Sequence, residues 1–209
     1  MQSLIVFLHG FLGTSEDWQE VWRELPDATC VGIDLPGHGK SPFSEKFEIG
    51  IEEPFHLVGY SMGGRLAMQF AEKNRERVKT LTLVSTHPGL KTEEEREKRV
   101  ESDQRWADLL LKEPIDEFLK RWYDQPLFGN FKPMRKKQDP KNLAKALIHY
   151  SLAHQSCEAP ENAMFVVGER DEKFRKLTPN AEVIQDAAHA VHLENPKALA
   201  GLIHRRIFS

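Results

Sequence analysis

The stretch Phe55-His56-Leu57-Val58-Gly59-Tyr60-Ser61-Met62-Gly63-Gly64-Arg65 constrains this chain most. A short apolar run ends in Gly-x-Ser-x-Gly and passes without a break into a helical pattern. A strand that reverses sharply into a helix strains the residue at the corner. The two elements pass closely only where the neighbours are small, which is where Gly59 and Gly63 fall. Such a corner lifts Ser61 to the end of a sheet with its Oγ open to substrate. The backbone N–H groups that follow, at a helix N-terminus, can stabilise developing negative charge. The pentapeptide also arises by chance in unrelated proteins, so the pattern around it decides.

That pattern alternates. Leu4 to Leu8 is an apolar, β-branched run of the kind buried on both faces of a parallel sheet. Ser15 is a candidate cap for a helix over residues 16–25, whose Trp18, Val21, Trp22 and Leu25 recur at helical spacing. Thr29 to Ile33 reads as a second strand, with Asp34-Leu35-Pro36-Gly37-His38-Gly39 as its exit loop. The serine strand follows, then a helix to about Asn74 and a strand over residues 78–85. Strands alternating with helices point to a parallel α/β sheet. From residue 91 to about 153 the chain is helical only (93–111, 115–123 and 143–153) and reads as a lid over the sheet's C-terminal edge. The sheet resumes at 163–167 and 181–185, and a helix over 195–208 closes the chain. The whole, residues 1–209, reads as one domain with 91–153 as its cap.

Composition narrows the partners. A net charge of −3 leaves no electrostatic footprint for nucleic acid or an anionic membrane, so a small molecule is the expected partner. Cys30 and Cys157 lie far apart and outside any metal-binding spacing. Cys30 falls in a strand pattern and is expected as a buried free thiol. The run Leu4 to Leu8 is too short for a signal or membrane segment, and a cytoplasmic location is expected. No metal or cofactor is expected.

A serine nucleophile needs a base, and the base needs an acid to orient it. In sheets of this kind the order is Ser, then Asp or Glu, then His, each from a loop after a strand. Asp171 follows the strand at 163–167, and His189 follows the strand at 181–185. His192 is the second choice for the base and Glu169 the weaker alternative for the orienting acid. His9-Gly10 after the first strand is where a second oxyanion donor arises, the Phe11 N–H beside that of Met62. Arg65 in the first turn of a helix opposes the macrodipole and needs a compensating anion, either a structural carboxylate or a bound substrate.

The residues match more than this general pattern. His9-Gly10-Phe11, the Asp34 to Gly39 loop and Gly59 to Arg65 resemble the α/β-hydrolase fold. His87-Pro88-Gly89-Leu90, Ser102-Asp103-Gln104-Arg105-Trp106, Trp122-Tyr123-Asp124-Gln125-Pro126-Leu127-Phe128, Gly168 to Phe174 and His189 to Pro196 resemble one branch of it. That branch is the 2-succinyl-6-hydroxy-2,4-cyclohexadiene-1-carboxylate synthases (MenH), and the resemblance covers nearly the whole chain. It implies a lyase that eliminates pyruvate from a succinyl-enolpyruvyl-hydroxycyclohexene carboxylate in menaquinone biosynthesis. By motif position Arg65, Arg99 and Arg135 are the arginines that meet substrate carboxylates, while Tyr60 and Trp122 line the pocket. The resemblance further implies that Ser61, backed by His189 and Asp171, acts as a general base with the Phe11 and Met62 N–H groups holding a carbonyl.

Two departures stand out. Only residues 40–53 lie where relatives have room for an amphipathic helix, and Phe47, Ile49 and Ile51 alternate like a strand. The chain also enters its first strand without a preceding hairpin, which leaves a sheet edge to protect. Both bear on folding and on whether the protein is a monomer or a homodimer, with a partner chain as one way to cover the exposed face. The alternative activity is that of a serine carboxylesterase or carbon–carbon bond hydrolase. A non-catalytic binding protein of the same shape is the third reading.

Overall fold

The computed structural model describes residues 2–135, 137–155 and 158–208. Six parallel strands, β1 (Ser3–Leu8), β2 (Ala28–Ile33), β3 (Phe55–Tyr60), β4 (Val78–Val84), β5 (Met164–Gly168) and β6 (Glu182–Ile184), form one sheet in the order β2-β1-β3-β4-β5-β6. Ile5 to Leu8 and all of β3 are buried, as apolar strands covered on both faces must be. Alternate residues feed two cores. Val6, Leu8, Leu57 and Leu83 face one, while Ile5, Phe7, Val58 and Val84 face the other. The chain runs outward from β1 to β2 and then returns to the other side of β1 as β3. The C-terminal ends of β1 and β3 therefore flank a topological switch point, where open α/β sheets bind ligands.

Helix α1 (Gln19–Arg23) is shorter than its apolar pattern predicts, because residues 15–18 form a 3-10 turn instead. Ser15 does not cap it: the Ser15 N–H donates to Asp34 Oδ1 at 2.7 Å, so an aspartate after β2 supplies the acceptor. Helix α2 (Met62–Lys73) follows the serine corner. The cap consists of α3 (Glu93–Lys112), α4 (Ile115–Tyr123) and α5 (Pro140–His149), with 3-10 turns at Pro126–Phe128 and Leu152–His154. A capping box starts α3, with the Glu95 N–H donating to Thr92 Oγ1 at 3.2 Å and the Thr92 N–H to Glu95 Oε2 at 3.0 Å. Helices α6 (Glu172–Leu177) and α7 (Val191–Glu194) lie in the loops after β5 and β6, and α8 (Pro196–Phe208) packs behind the sheet with α1.

The short segment between Gly39 and Phe55 forms neither the strand its alternation predicts nor a helix. It is irregular chain that packs against the core on the sheet face, with Ile49 buried as an anchor. Arg77 Nη2 donates to the Ile49 and Ile51 carbonyls and ties the segment down. Beside it a cleft of about 1480 Å³ opens between this segment, α2 and the cap helices, with Leu66, Phe70, Ala107, Leu111 and Ile148 among its walls. Cys30 is half-buried rather than buried, because β2 is the sheet edge; Cys157 lies outside the described residues. Among the described residues no helix is long and apolar enough to cross a membrane.

Candidate active site

Ser61 sits between β3 and α2 with φ 51° and ψ −110°, a left-handed-side backbone that a non-glycine residue adopts only where its surroundings enforce it. Here a bond from the Ser61 N–H to the Val84 carbonyl (3.0 Å) and one from the Arg65 N–H to the Ser61 carbonyl (3.2 Å) clamp the corner from both sides. Gly59 and Gly63 are needed: a Cβ on Gly59 would lie 2.6 Å from Gly64 Cα, and one on Gly63 2.3 Å from the His9 carbonyl.

His189 reaches this corner from the loop after β6. Its Nε2 lies 3.3 Å from Ser61 Oγ and its Nδ1 2.7 Å from Asp171 Oδ2. An aspartate on Nδ1 keeps the proton there and leaves Nε2 as the acceptor facing the serine hydroxyl. Asp171, 2 % exposed, is fixed in turn because its Oδ1 accepts the Phe174 N–H at the start of α6. Tyr60, Phe128 and Phe174 pack their rings around the His189 imidazole with centroids 4.7–5.6 Å away. The alternatives weighed in the sequence lie elsewhere. His192 is fully buried between Trp18 and Tyr60, with neither ring nitrogen hydrogen-bonded, and Glu169 accepts the Asp186 N–H.

The turn after β1 faces Ser61 from the other side. His9 is fully buried and neutral, its pKa pushed down to about 3 chiefly by burial and further by neighbouring His38. Its Nε2 accepts the Leu35 N–H at 2.9 Å, so Nδ1 carries the proton and donates to the Gly10 carbonyl at 2.7 Å. These bonds hold the turn that carries Phe11. Neither the Phe11 nor the Met62 N–H has an acceptor among the described residues, so both donors are available to a ligand. The Phe11 ring meets Trp122 edge-on at 5.0 Å, and Trp122 continues into Trp106 and Phe118 of the cap.

All three arginines are engaged. Arg65 Nη1 donates to the Tyr150 carbonyl at 2.7 Å, so the cation in the first turn of α2 has a carbonyl acceptor from the cap. Arg99 Nε donates to both oxygens of Asp103 at 2.8 Å. Arg135 Nη1 donates to both oxygens of Asp17 at 2.7 and 2.6 Å, its Nε donates to Tyr123 Oη at 2.6 Å, and its guanidinium lies over the Tyr123 ring. His87 shows how the cations gather: burial lowers its pKa to about 4, and Lys173, Arg99 and Arg65 reinforce the shift in that order. The Tyr60 hydroxyl is pushed well above its ordinary range, chiefly by burial. Sequence reading assigns no site role to Asp17, Asp103, His87, Phe128 or Phe174, although all but Asp17 lie in the motifs that carry the family resemblance. Asp103 also carries a positional signal, its four-residue spacing from Arg99 on one helix.

A family described as the alpha/beta hydrolase fold matches residues 3–139. The putative 2-succinyl-6-hydroxy-2,4-cyclohexadiene-1-carboxylate synthase of Haemophilus influenzae is 34% identical, with 92% of this chain and 92% of that protein covered. The synthase of the same name from Enterobacter sp. is 35% identical over 95% of this chain and 89% of its own length. Among solved structures, MenH from S. aureus superposes with a TM-score of 0.82 at 26% identity, covering 96% of this chain and 91% of that one. A thermophilic esterase from Thermogutta terrifontis, at 21% identity and a TM-score of 0.74, shares the fold.

Proposed function

The chain belongs to the α/β-hydrolase fold family and, within it, to the 2-succinyl-6-hydroxy-2,4-cyclohexadiene-1-carboxylate synthases, and on that premise we propose that it is a carbon–oxygen lyase of menaquinone biosynthesis working through Ser61, His189 and Asp171. The substrate is 2-succinyl-5-enolpyruvyl-6-hydroxy-3-cyclohexene-1-carboxylate. The observation that carries this reading is the joining of a serine–histidine–aspartate chain and two free N–H donors to a set of guanidinium groups. Ester cleavage needs the first two. A substrate with several carboxylates gives the third a task, because guanidinium and carboxylate pair as a fork.

In this mechanism His189 Nε2 takes the hydroxyl proton of Ser61, and the Oγ so activated removes the ring proton beside the succinyl carbonyl. The electron pair left behind spreads onto that carbonyl oxygen, which accepts from the Phe11 and Met62 N–H groups. It then returns to form a new ring double bond. The existing double bond shifts and the ring C–O bond breaks, so that enolpyruvate leaves. Protonated His189 supplies the proton that the leaving group gains, and the enol becomes pyruvate. Asp171 steadies the imidazolium between the two transfers. Arg65, Arg99 and Arg135 hold the carboxylates, and Tyr60 and Trp122 shape the pocket around the ring. The protein acts on a small polycarboxylate with no metal or cofactor, in the cytoplasm.

The test is a coupled ultraviolet assay on enzymatically generated substrate, following the conjugated diene and the released pyruvate. Both are expected to appear together and to vanish with Ser61→Ala. Folded protein that forms no diene above the spontaneous rate, yet cleaves an aryl ester in a Ser61-dependent way, would overturn the lyase in favour of the esterase.

A further inference from the structure

Two of the three arginines belong to the cap, and each is held by an aspartate withdrawn from solvent. Asp103 is 2 % exposed and takes only Arg99 Nε, with both of its oxygens. The Nη1–Nη2 end of that guanidinium, the edge that forms a fork with a second carboxylate, is left unused by Asp103. The Arg99 side chain keeps 30 % exposure against 3 % for Asp103. Asp17 takes Nη1 of Arg135 and Tyr123 takes Nε, and Nη2 is used by neither. In both pairs the carboxylate fixes one part of the guanidinium and spares another.

Ordinary helix stabilisation does not explain the first pair. Acid four residues before base is the favourable order on a helix, because it agrees with the macrodipole. Glu94–Lys98, Glu101–Arg105 and Asp108–Lys112 of α3 all follow it. Arg99–Asp103 runs the other way on the same helix, with its carboxylate buried, where desolvation must be offset. A placement that is poor for the helix is reasonable for holding a guanidinium toward the site, against which the same face of α3 packs Trp106 through Trp122 to Phe11. There is also a charge argument. Guanidinium groups brought to one site repel one another while no substrate is bound. A carboxylate on each cap arginine, buried for Asp103 and largely withdrawn from solvent for Asp17, offsets one positive charge, and it removes the rotational freedom that substrate binding would otherwise have to freeze.

We propose that Asp103 and Asp17 are positioning residues that seat Arg99 and Arg135 for the carboxylates of the substrate. This rests on the reading above, in which those arginines bind carboxylates. It assigns the specificity for a polycarboxylate to two Arg–Asp units rather than to arginines alone.

The experiment compares Asp103→Asn and Asp17→Asn with the parent protein by steady-state kinetics in the diene assay and by thermal melting. Each is then repeated in the Arg99→Ala or Arg135→Ala background. Asparagine keeps the shape and removes the charge. The expected result is KM raised about tenfold with kcat little changed, and no further rise when the partner arginine is already alanine. Asp17→Glu, which keeps the charge, should recover part of the KM. KM within twofold of the parent for both asparagine variants, or the same rise with and without the partner arginine, overturns the proposal. Should Asp17→Asn fail to fold, Asp103→Asn decides, because its pair lies within one helix. A parent protein that forms no diene brings down the underlying reading and this proposal together. An active parent with unmoved KM in the variants brings down this proposal alone.

Discussion

Gly63→Ala tests how the donor pair is built. A Cβ at position 63 would lie 2.3 Å from the His9 carbonyl oxygen and 2.6 Å from that of Leu8, whereas ordinary contact begins near 3.4 Å. Both obstacles are backbone, so no side chain can swing away. The exit of β1 and the first turn of α2 must part by about 1 Å, and these two segments carry the Phe11 and Met62 N–H groups. Overpacking of this kind costs about 1–3 kcal/mol. In a domain of this size that lowers the melting midpoint by roughly 2–4 °C per kcal/mol. A misplacement of about 1 Å in a site that works by geometry costs on the order of 100-fold in rate. The assay is kcat for diene formation beside a thermal melt, with Gly201→Ala as control. A Cβ there meets only the flexible end of Arg205 at 3.6 Å, and removing a mid-helix glycine should gain about 0.5–1 kcal/mol. Gly63→Ala protein that melts with the parent and turns over within threefold of it would refute the reasoning.

Other outcomes follow from the same structure. His9 (about 3), His38 (about 4) and His192 (well below its ordinary range) are held neutral mainly by burial, while the unfolded chain protonates them below about 6.5. Stability is therefore complete above pH 6.5 and falls as pH drops, by about 4 kcal/mol per pH unit near pH 5 for three protons. Urea midpoints between pH 7 and 4.5 that imply uptake of less than one proton would contradict this. Arg77→Ala removes the bonds to the Ile49 and Ile51 carbonyls and should cost about 1.5–3 kcal/mol, with faster amide exchange across residues 44–53. Unchanged exchange there would show that Ile49 alone holds the segment. In a Cys157→Ser background the Cys30 thiol, pushed up to about 11 by burial, should alkylate about 100-fold more slowly at pH 7.5 than in the unfolded chain. Equal rates would mean that the edge strand opens freely.

The sheet and the serine corner were legible because their signals are local: an apolar run, two glycines and a change of period. That Asp171 and His189 meet at Ser61 was legible through chain order, which the connectivity of such a sheet dictates. The reading failed where a distant group does a neighbour's work. Ser15 looks like a cap until Asp34, nineteen positions on, accepts its N–H. Phe47, Ile49 and Ile51 alternate as a strand would, but no neighbouring strand is there to pair with, and Arg77 satisfies two of the carbonyls instead. Asp17 is 118 positions from Arg135 and carries no motif of its own. Burial of a charge is a tertiary fact, so a sequence shows the arginine without showing what neutralises it.

The shortened segment before β3 and the site stand apart for a topological reason. Ser61, the Phe11 turn, Asp171 and His189 all hang from C-terminal ends of strands, whereas the missing helix would have covered the flank of the sheet beside α2. What the two regions share is the cap. The cleft is walled by α3 and α5 as well as by α2, and α3 carries Arg99 while the chain just past α5 supplies the carbonyl that receives Arg65. The cap helices share one apolar core with the sheet and α2, against which Phe43, Phe47 and Ile51 of the short segment pack, and polar ties add to it. Among the described residues these ties include Arg65 to Tyr150, Arg135 to Asp17, Gln138, which donates to the Leu12 carbonyl and accepts the Gly39 N–H, and Tyr150 Oη and His149 Nε2, which donate to the Ser44 and Glu45 carbonyls. Two of them run through arginines that the proposed function gives to substrate carboxylates. On the proposed function, binding and cap docking therefore draw on the same guanidinium groups, and loss of flank packing is expected to weaken substrate affinity before it disturbs Ser61, His189 or the Phe11 and Met62 N–H groups.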